Sequence, residues 1–77
     1  MEKEKIIVMK LKDEYNELFT RIDNLAAFMK TGVFMELTKL EKDMLLSQLH
    51  AMRVYGMVLG DRISFYEGKP LIFEWSV

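Results

Sequence analysis

The chain has 77 residues, of which 51% are hydrophobic, seven are methionine, one is histidine and none is cysteine. A chain this short buries a small share of its surface, and without cysteine it has no disulfide to compensate. A single histidine also argues against a structural zinc site, which takes four Cys or His ligands. We therefore expect the missing stability to come from self-association as a homo-oligomer.

Acidic and basic residues are interspersed and nearly balanced, with a formal net charge of -1 at pH 7. A field strong enough to hold genomic DNA without sequence preference is therefore not expected. The apolar run from Ile6 to Met9 is far shorter than the roughly 20 residues that a membrane span needs. The N-terminal residues do not fit a signal peptide either. Composition thus predicts neither a DNA-binding nor a membrane protein.

The first predicted helix begins near Lys3 or Glu4 and ends near Lys30, with Gly32 just beyond as its cap. Its apolar residues alternate steps of four and three, which is the spacing of a helix that packs along one seam. The seam residues are Leu11, Tyr15, Leu18, Ile22, Leu25 and Met29. This pattern predicts a long helix with one packed face.

A second long helix is indicated by Thr38 and Glu41, whose Thr-x-x-Glu spacing predicts a capping box. Gly68 followed by Pro70 predicts its end. Its seam consists of Leu45, Leu49, Met52, Gly56, Leu59, Ile63 and Tyr66. Two helices joined by a short connection lie antiparallel. We therefore predict a mainly all-α fold, an antiparallel two-helix hairpin.

Several residues outside the seams carry predictions of their own. Phe34 and Leu37 in the connection indicate a short helical turn that folds back over the end of the hairpin. Gly56 and Gly60 indicate close backbone approach or ligand access. A second stripe of apolar residues runs beside the seam of helix two: Met44, Ala51, Tyr55 and Val58. A lone hairpin covers only one stripe, so the second predicts contact with another subunit, although scattered surface apolar residues are common.

After Pro70 the chain alternates apolar and polar residues as far as Val77, which predicts a short strand. A single strand has no partner within its own chain. It therefore pairs with the same segment of another subunit or lies against the helices. We divide the chain into a helical hairpin domain, residues 1–68, and a strand-like tail, residues 69–77.

Few residues are candidates for catalysis, because His50 is the only imidazole and the chain has no cysteine. No Gly-rich phosphate loop or metal cluster stands out. We predict a binding protein and not an enzyme, with no cofactor and no metal. Lys30, Thr31 and Gly32 together offer a cation, a hydroxyl and backbone amides, which are groups that hold phosphate. The same three residues also suit an ordinary helix C-cap, which the pattern alone favours.

Strings of residues on both helices resemble the helical-hairpin domain of phage anti-CBASS and Thoeris anti-defence sponges. The strings are Arg21 to Phe28, Phe34, Leu45 to Met52, Tyr55 and Leu59 to Ile63, within residues 5–66. Members of that family are small homo-oligomers, commonly hexamers, that bind cyclic nucleotide messengers without cleaving them. The resemblance implies a phage-encoded protein of the host cytoplasm that sequesters cyclic di- or trinucleotides or cyclic ADP-ribose isomers.

The resemblance also implies five ligand-binding residues: Tyr15, Asn16, Lys30, Thr31 and Arg62. Gly32 is a sixth candidate, from the pattern of the turn alone. Tyr15 would stack on a base, and Lys30 would bind phosphate with Thr31 beside it. Asn16 and Arg62 would line a second pocket between subunits for cyclic trinucleotides. By pattern alone, Tyr15 is a seam residue and Arg62 a solvated or salt-bridged side chain. The alternative is a small oligomeric hairpin protein that acts through protein contacts on its Met-rich stripe, with no small ligand.

Overall fold

The structure is a computed structural model that describes residues 2–76. It consists of helix α1 (Glu2–Phe28), a short helix α2 (Gly32–Met35) and helix α3 (Lys39–Glu67), followed by a tail. Lys12 of α1 pairs with Glu67 at the end of α3, 2.9 Å away. The chain between them turns back at α2, so α1 and α3 run antiparallel. The predicted helical hairpin is confirmed.

Helix α3 begins and ends at the predicted residues. The Thr38 hydroxyl accepts a hydrogen bond from the Glu41 N–H at 3.2 Å, and the Glu41 carboxylate accepts one from the Thr38 N–H at 3.1 Å. These are the two bonds of a capping box. At the other end Gly68 adopts a left-handed φ of 69°, which glycine tolerates without strain. The sequence signals at both ends of α3 are confirmed.

The connection differs from the prediction at Gly32. Helix α1 ends at Phe28, and Gly32 is the first residue of α2 instead of a left-handed cap. Within residues 2–76 a positive φ is found at Gly68 and nowhere else. The predicted cap is therefore wrong, because the chain enters a new helix there. The Phe28 and Phe34 rings meet edge to face with centroids 6.1 Å apart, so the predicted turn over the hairpin end is confirmed.

The buried hydrophobic core lies entirely on the two predicted seams. Its residues are Leu11, Ile22, Leu49, Leu59 and Ile63. Phe19 of α1 packs tightly over Gly56, where an added Cβ would lie 2.8 Å from Cε2 of the ring. At Gly60 the same atom would lie an ordinary 3.7 Å from Cε2 of Tyr15. The structure thus shows a tight side-chain contact at Gly56, where the prediction was close backbone approach, and no tight contact at Gly60.

The tail corrects the predicted strand. Residues 69–76 contain no strand, and Val77, the last residue of the prediction, lies outside the described residues, as does Met1. The Asp61 carboxylate accepts hydrogen bonds from the backbone N–H of Ile72 at 2.7 Å and of Phe73 at 2.9 Å. Because this side chain satisfies the tail's amides, the tail needs no neighbouring strand.

Asp61 places the tail on the side of α3 that faces away from α1. Asp61 follows the fully buried Leu59 by two residues, a rotation of about 200° around the helix. The tail therefore lies against what we call the outer face of α3. In the turns next to Asp61, this face carries the apolar residues Val54, Val58 and Phe65.

The molecule is elongated and exposes much apolar surface. Its radius of gyration is 16.0 Å, whereas a compact domain of this length has about 11.5 Å. It exposes 6197 Å², against about 4900 Å² for a compact protein of its mass. The excess of about 1300 Å² exceeds the roughly 800 Å² per partner that a standard interface buries. A single chain thus has enough spare surface for a partner.

Candidate functional site

Lys30 and Thr31 lie in the turn between α1 and α2. The Thr31 hydroxyl donates a hydrogen bond to the Phe28 carbonyl at 2.6 Å and accepts one from the Phe34 N–H at 3.3 Å. It thereby caps α2 and holds the turn together. Lys30 is exposed, and no carboxylate of residues 2–76 forms an ion pair with its ammonium. The turn thus presents an available cation on a braced backbone.

Tyr15 lies near the middle of the hairpin, far from this turn. Its half-buried ring packs against the core and lies 4.5 Å, centroid to centroid, from the ring of Phe19. Thirteen residues of α1 separate Tyr15 from Phe28, which corresponds to about 20 Å along the helix. The structure therefore does not bring Tyr15 and Lys30 together within one chain.

Arg62 lies beside a hydrogen bond that joins the two long helices. The Tyr55 hydroxyl of α3 donates to the Glu14 carboxylate of α1. This bond raises the pKa of the Tyr55 phenol, desolvation adds to the rise, and the nearby Arg62 charge opposes it. Asn16, two residues after Glu14, is turned about 200° around α1. Asn16 and Arg62 thus lie on different sides of the hairpin.

A groove lies between the tail and α3, which we call the tail groove. It has a volume of about 490 Å³ and is lined by Val58, Asp61, Arg62, Phe65, Tyr66, Leu71 and Trp75. The indole N–H of Trp75 donates to the Asp61 carboxylate at 3.1 Å, which fixes one edge of its ring. The volume is within the range of small-molecule sites. It joins aromatic rings to a predicted site residue, Arg62.

Asp61 is the residue on which the groove depends. Its side chain is only 3% exposed. This burial alone would raise the pKa of the carboxyl, but the hydrogen bonds from Ile72, Phe73 and Trp75 outweigh it and hold the pKa below its usual value. Asp61 is thus a charged group that three donors stabilise, and it anchors the tail.

Sequence reasoning missed Asp61 as an anchor. It sits three residues after Val58 and four before Phe65, so it interrupts an apolar face at helical spacing. A carboxylate in such a position needs donors from elsewhere. The backbone amides of the tail, which follows α3 directly, are donors within reach. A carboxylate on an apolar helix face just before such a tail was the signal available in the sequence.

Residues 2–76 contain neither a cluster of metal-ligating side chains nor a helix that could span a membrane. No group of three or more His, Cys, Asp or Glu side chains is arranged to hold a metal ion there. Neither long helix has an apolar segment sufficient to cross a bilayer.

Comparison with known proteins gives one family and one phage relative. The family described as Sequestin matches residues 6–65. An uncharacterised 7.5 kDa protein from the denB-rIIB intergenic region of Enterobacteria phage T4 is 31% identical over 58 residues, which cover 75% of this chain and 91% of the relative. No solved structure matches. These findings confirm the resemblance to a phage sponge family, and the family's description indicates a protein that sequesters a ligand.

Proposed function

Because the chain belongs to the Sequestin family, we propose that it binds a cyclic nucleotide immune signal and withholds it, uncleaved, from the host's defence. The ligand is a cyclic di- or trinucleotide or a cyclic ADP-ribose isomer, and the protein acts in the host cytoplasm. The family match over residues 6–65 is the observation that carries this proposal. Sequestration needs affinity and copy number but no catalytic group.

The binding residues come from more than one chain. Tyr15 and Lys30 of one chain are separated by about 20 Å of α1, so a pocket that uses both takes Tyr15 from one subunit and Lys30 from another. In this pocket Tyr15 stacks on a base and Lys30 binds a phosphate, with Thr31 and Gly32 shaping the turn that presents the lysine. A symmetric oligomer, a hexamer by analogy with the family, repeats the site at each interface.

A second pocket of the same kind uses Asn16 and Arg62. These residues lie on different sides of one hairpin, so they also meet only between subunits. Arg62 is exposed and offers a planar guanidinium that can bind a phosphate through two hydrogen bonds. Both pockets therefore require the oligomer.

The test is thermal unfolding of the purified protein with cyclic di- and trinucleotides and cyclic ADP-ribose isomers. At a ligand concentration about 100 times Kd, binding adds about 2.7 kcal/mol to the unfolding free energy, so Tm should rise by several degrees. Lys30→Glu should reduce this rise without changing the oligomer's mass. The matched control is Lys10→Glu, which reverses an exposed charge in the middle of α1 and should leave the rise intact.

Recovery of the ligand separates sequestration from cleavage. After heat denaturation of the complex, chromatography should return the cyclic nucleotide unchanged. Linearised ligand would contradict the proposal, as would a rise in Tm that Lys30→Glu leaves unaltered.

A second candidate function is favoured by the exposed apolar stripe of α3. Met44 and Tyr55 of this stripe are exposed on the hairpin surface, and methionine adapts to many protein partners. In this case the protein acts by contact with another protein and takes no small ligand. The absence of thermal stabilisation by every nucleotide class would favour this function.

A further inference from the structure

We infer that the tail groove is a nucleotide-binding site within a single chain, in which Trp75 stacks on the base and Arg62 binds the phosphate. The choice of a nucleotide rests on the proposed function, whereas the groove itself follows from the fold. This site differs from the pockets between subunits because α3 and its own tail supply all of its walls. It shares Arg62 with the second pocket between subunits, so a phosphate bound in the groove competes with a ligand in that pocket.

The first argument is the chemistry of the walls. Phe65 and Tyr66 pack edge to face with ring centroids 5.3 Å apart, and Trp75 faces the same groove from the tail. Aromatic rings and the arginine guanidinium are the side chains on which nucleobases stack. The groove therefore suits a planar aromatic ring better than an aliphatic chain.

The second argument is preorganisation. Trp75 is 49% exposed, so a ligand can reach its ring, yet its indole N–H is held by Asp61 at 3.1 Å. Trp75 also packs edge to face on Phe73, with centroids 5.6 Å apart. A stacking ring that is fixed before binding loses little conformational entropy when the ligand arrives.

The third argument is charge. Arg62 lines the groove, and no carboxylate of residues 2–76 forms an ion pair with its guanidinium. The Asp61 charge next to it is already stabilised by three hydrogen-bond donors at 2.7, 2.9 and 3.1 Å. Arg62 is thus the cationic residue of the groove wall that has no ion-pair partner, and the geometry of a guanidinium matches a phosphate.

The groove is also an addition to the region shared with the family. The Sequestin match ends at residue 65, whereas Tyr66, Leu71 and Trp75 lie beyond it. A base-binding groove built by the tail would therefore distinguish this chain from relatives that share only the hairpin.

Trp75 is the only tryptophan of the chain, so its fluorescence reports on the groove directly. We expect 5′-AMP to quench it saturably, adenosine to bind about tenfold more weakly because it lacks the phosphate, and inorganic phosphate alone to cause no quenching. Free N-acetyltryptophanamide corrects for light absorbed by the nucleotide. Quenching by phosphate alone, or no saturable quenching by 5′-AMP, would overturn the inference.

Two variants assign the contacts. Arg62→Gln should lower the affinity for 5′-AMP to that for adenosine. The matched control Arg53→Gln replaces an exposed arginine outside the groove and should leave the affinity for 5′-AMP unchanged. Asp61→Asn should release the tail and abolish quenching while circular dichroism shows the helices intact. Equal affinity of Arg62→Gln and the wild type for 5′-AMP would overturn the phosphate contact.

A change in Trp75 fluorescence that depends on protein concentration, and not on 5′-AMP, would overturn the inference. It would identify a second copy of the chain as the occupant of the groove.

The same experiment separates this inference from the proposed function. Quenching by 5′-AMP should persist in Lys30→Glu, because Lys30 lies in the turn before α2 and outside the groove. If cyclic nucleotides raise Tm but 5′-AMP does not quench Trp75, the groove assignment is wrong and sequestration stands. If quenching occurs without Lys30-dependent stabilisation, sequestration is wrong and the groove stands.

Discussion

At the scale of single residues, the two glycines of α3 have different roles. Gly56 lies where Phe19 of α1 crosses, and its missing Cβ makes room for the ring. At Gly60 an added Cβ would lie at an ordinary contact distance from Tyr15, so packing within the single chain does not require glycine there. A glycine that packing does not require costs a helix about 1 kcal/mol relative to alanine.

We therefore predict opposite effects of alanine at these positions. Gly60→Ala should stabilise the protein by up to about 1 kcal/mol through helix propensity. Gly56→Ala should destabilise it, because overpacking costs about 1–3 kcal/mol and exceeds the same gain. Urea unfolding measures both. Adding Phe19→Leu should make alanine at position 56 tolerable, and a stabilising Gly56→Ala would show that the helices do not need this close approach.

The Asp61 anchor predicts a pH dependence of the tail. Its pKa is lowered in the folded chain, so the stability it contributes is complete above the unfolded value and is lost as the pH falls through the folded value. Trp75 fluorescence should therefore stay constant from neutral pH down to about pH 4 and change only below it.

Two substitutions check this assignment. In Asp61→Asn the tail should already be released at pH 7, since an amide offers one acceptor oxygen where the carboxylate offers two. The acid transition of the fluorescence should then disappear. Glu74→Gln, which removes an exposed carboxyl of the tail, should leave the transition in place. An unchanged transition in Asp61→Asn would mean that another group controls the tail.

At the scale of elements, α3 depends on its first turn. The capping box provides hydrogen-bond acceptors for backbone N–H groups at the start of α3, which would otherwise have no partner within the helix. The same turn brings Lys42 to 5.8 Å from the centroid of the Phe34 ring, so α2 is held against the start of α3. The cap therefore supports both the helix and the reversal of the chain.

Thr38→Ala should cost about 1 kcal/mol of unfolding free energy, the usual value for loss of an N-cap side chain. Thr38→Ser retains the hydroxyl oxygen and should restore most of this stability. Denaturant unfolding followed by circular dichroism at 222 nm measures the difference. Equal stability of the alanine and serine variants would show that the turn is held by its packing and not by the cap.

At the scale of the whole molecule, the chain exposes more surface than a compact monomer of its mass. Met44 and Tyr55 of the second stripe are exposed, on a molecule with extents of 51 × 25 × 15 Å. Thin, elongated helical hairpins bury their remaining apolar faces against other helices. The oligomer stays a prediction, and the second stripe is the contact surface predicted for it.

Met44→Glu should therefore lower the mass measured by sedimentation equilibrium, because a charge would be buried at the subunit contact. Met9→Glu is the matched control, since Met9 is also exposed but lies outside the second stripe, and should leave the mass unchanged. The wild-type Tm should rise with protein concentration. A monomer at all concentrations would contradict self-association and with it the binding pockets shared between subunits.

The sequence by itself determined the hairpin, its antiparallel order and both ends of α3, because heptad spacing, the capping box and Gly68 act locally. Helical periodicity also identified the core residues, and a glycine inside a helix pointed to the tight contact at Gly56. Two sequence signals failed. The glycine signal was wrong at Gly32, because a glycine can end one helix or begin the next, and alternation wrongly predicted a strand in the tail.

Only the tertiary structure decided the place of the tail. Asp61 and the amides of Ile72 and Phe73 are more than ten residues apart, and no local pattern states that one will satisfy the other. The separation of Tyr15 from Lys30, in contrast, already follows from the length of the predicted first helix and its fixed rise per residue. Local propensity sets the elements, whereas burial of a charge and the length of a helix decide which side chains can share a site.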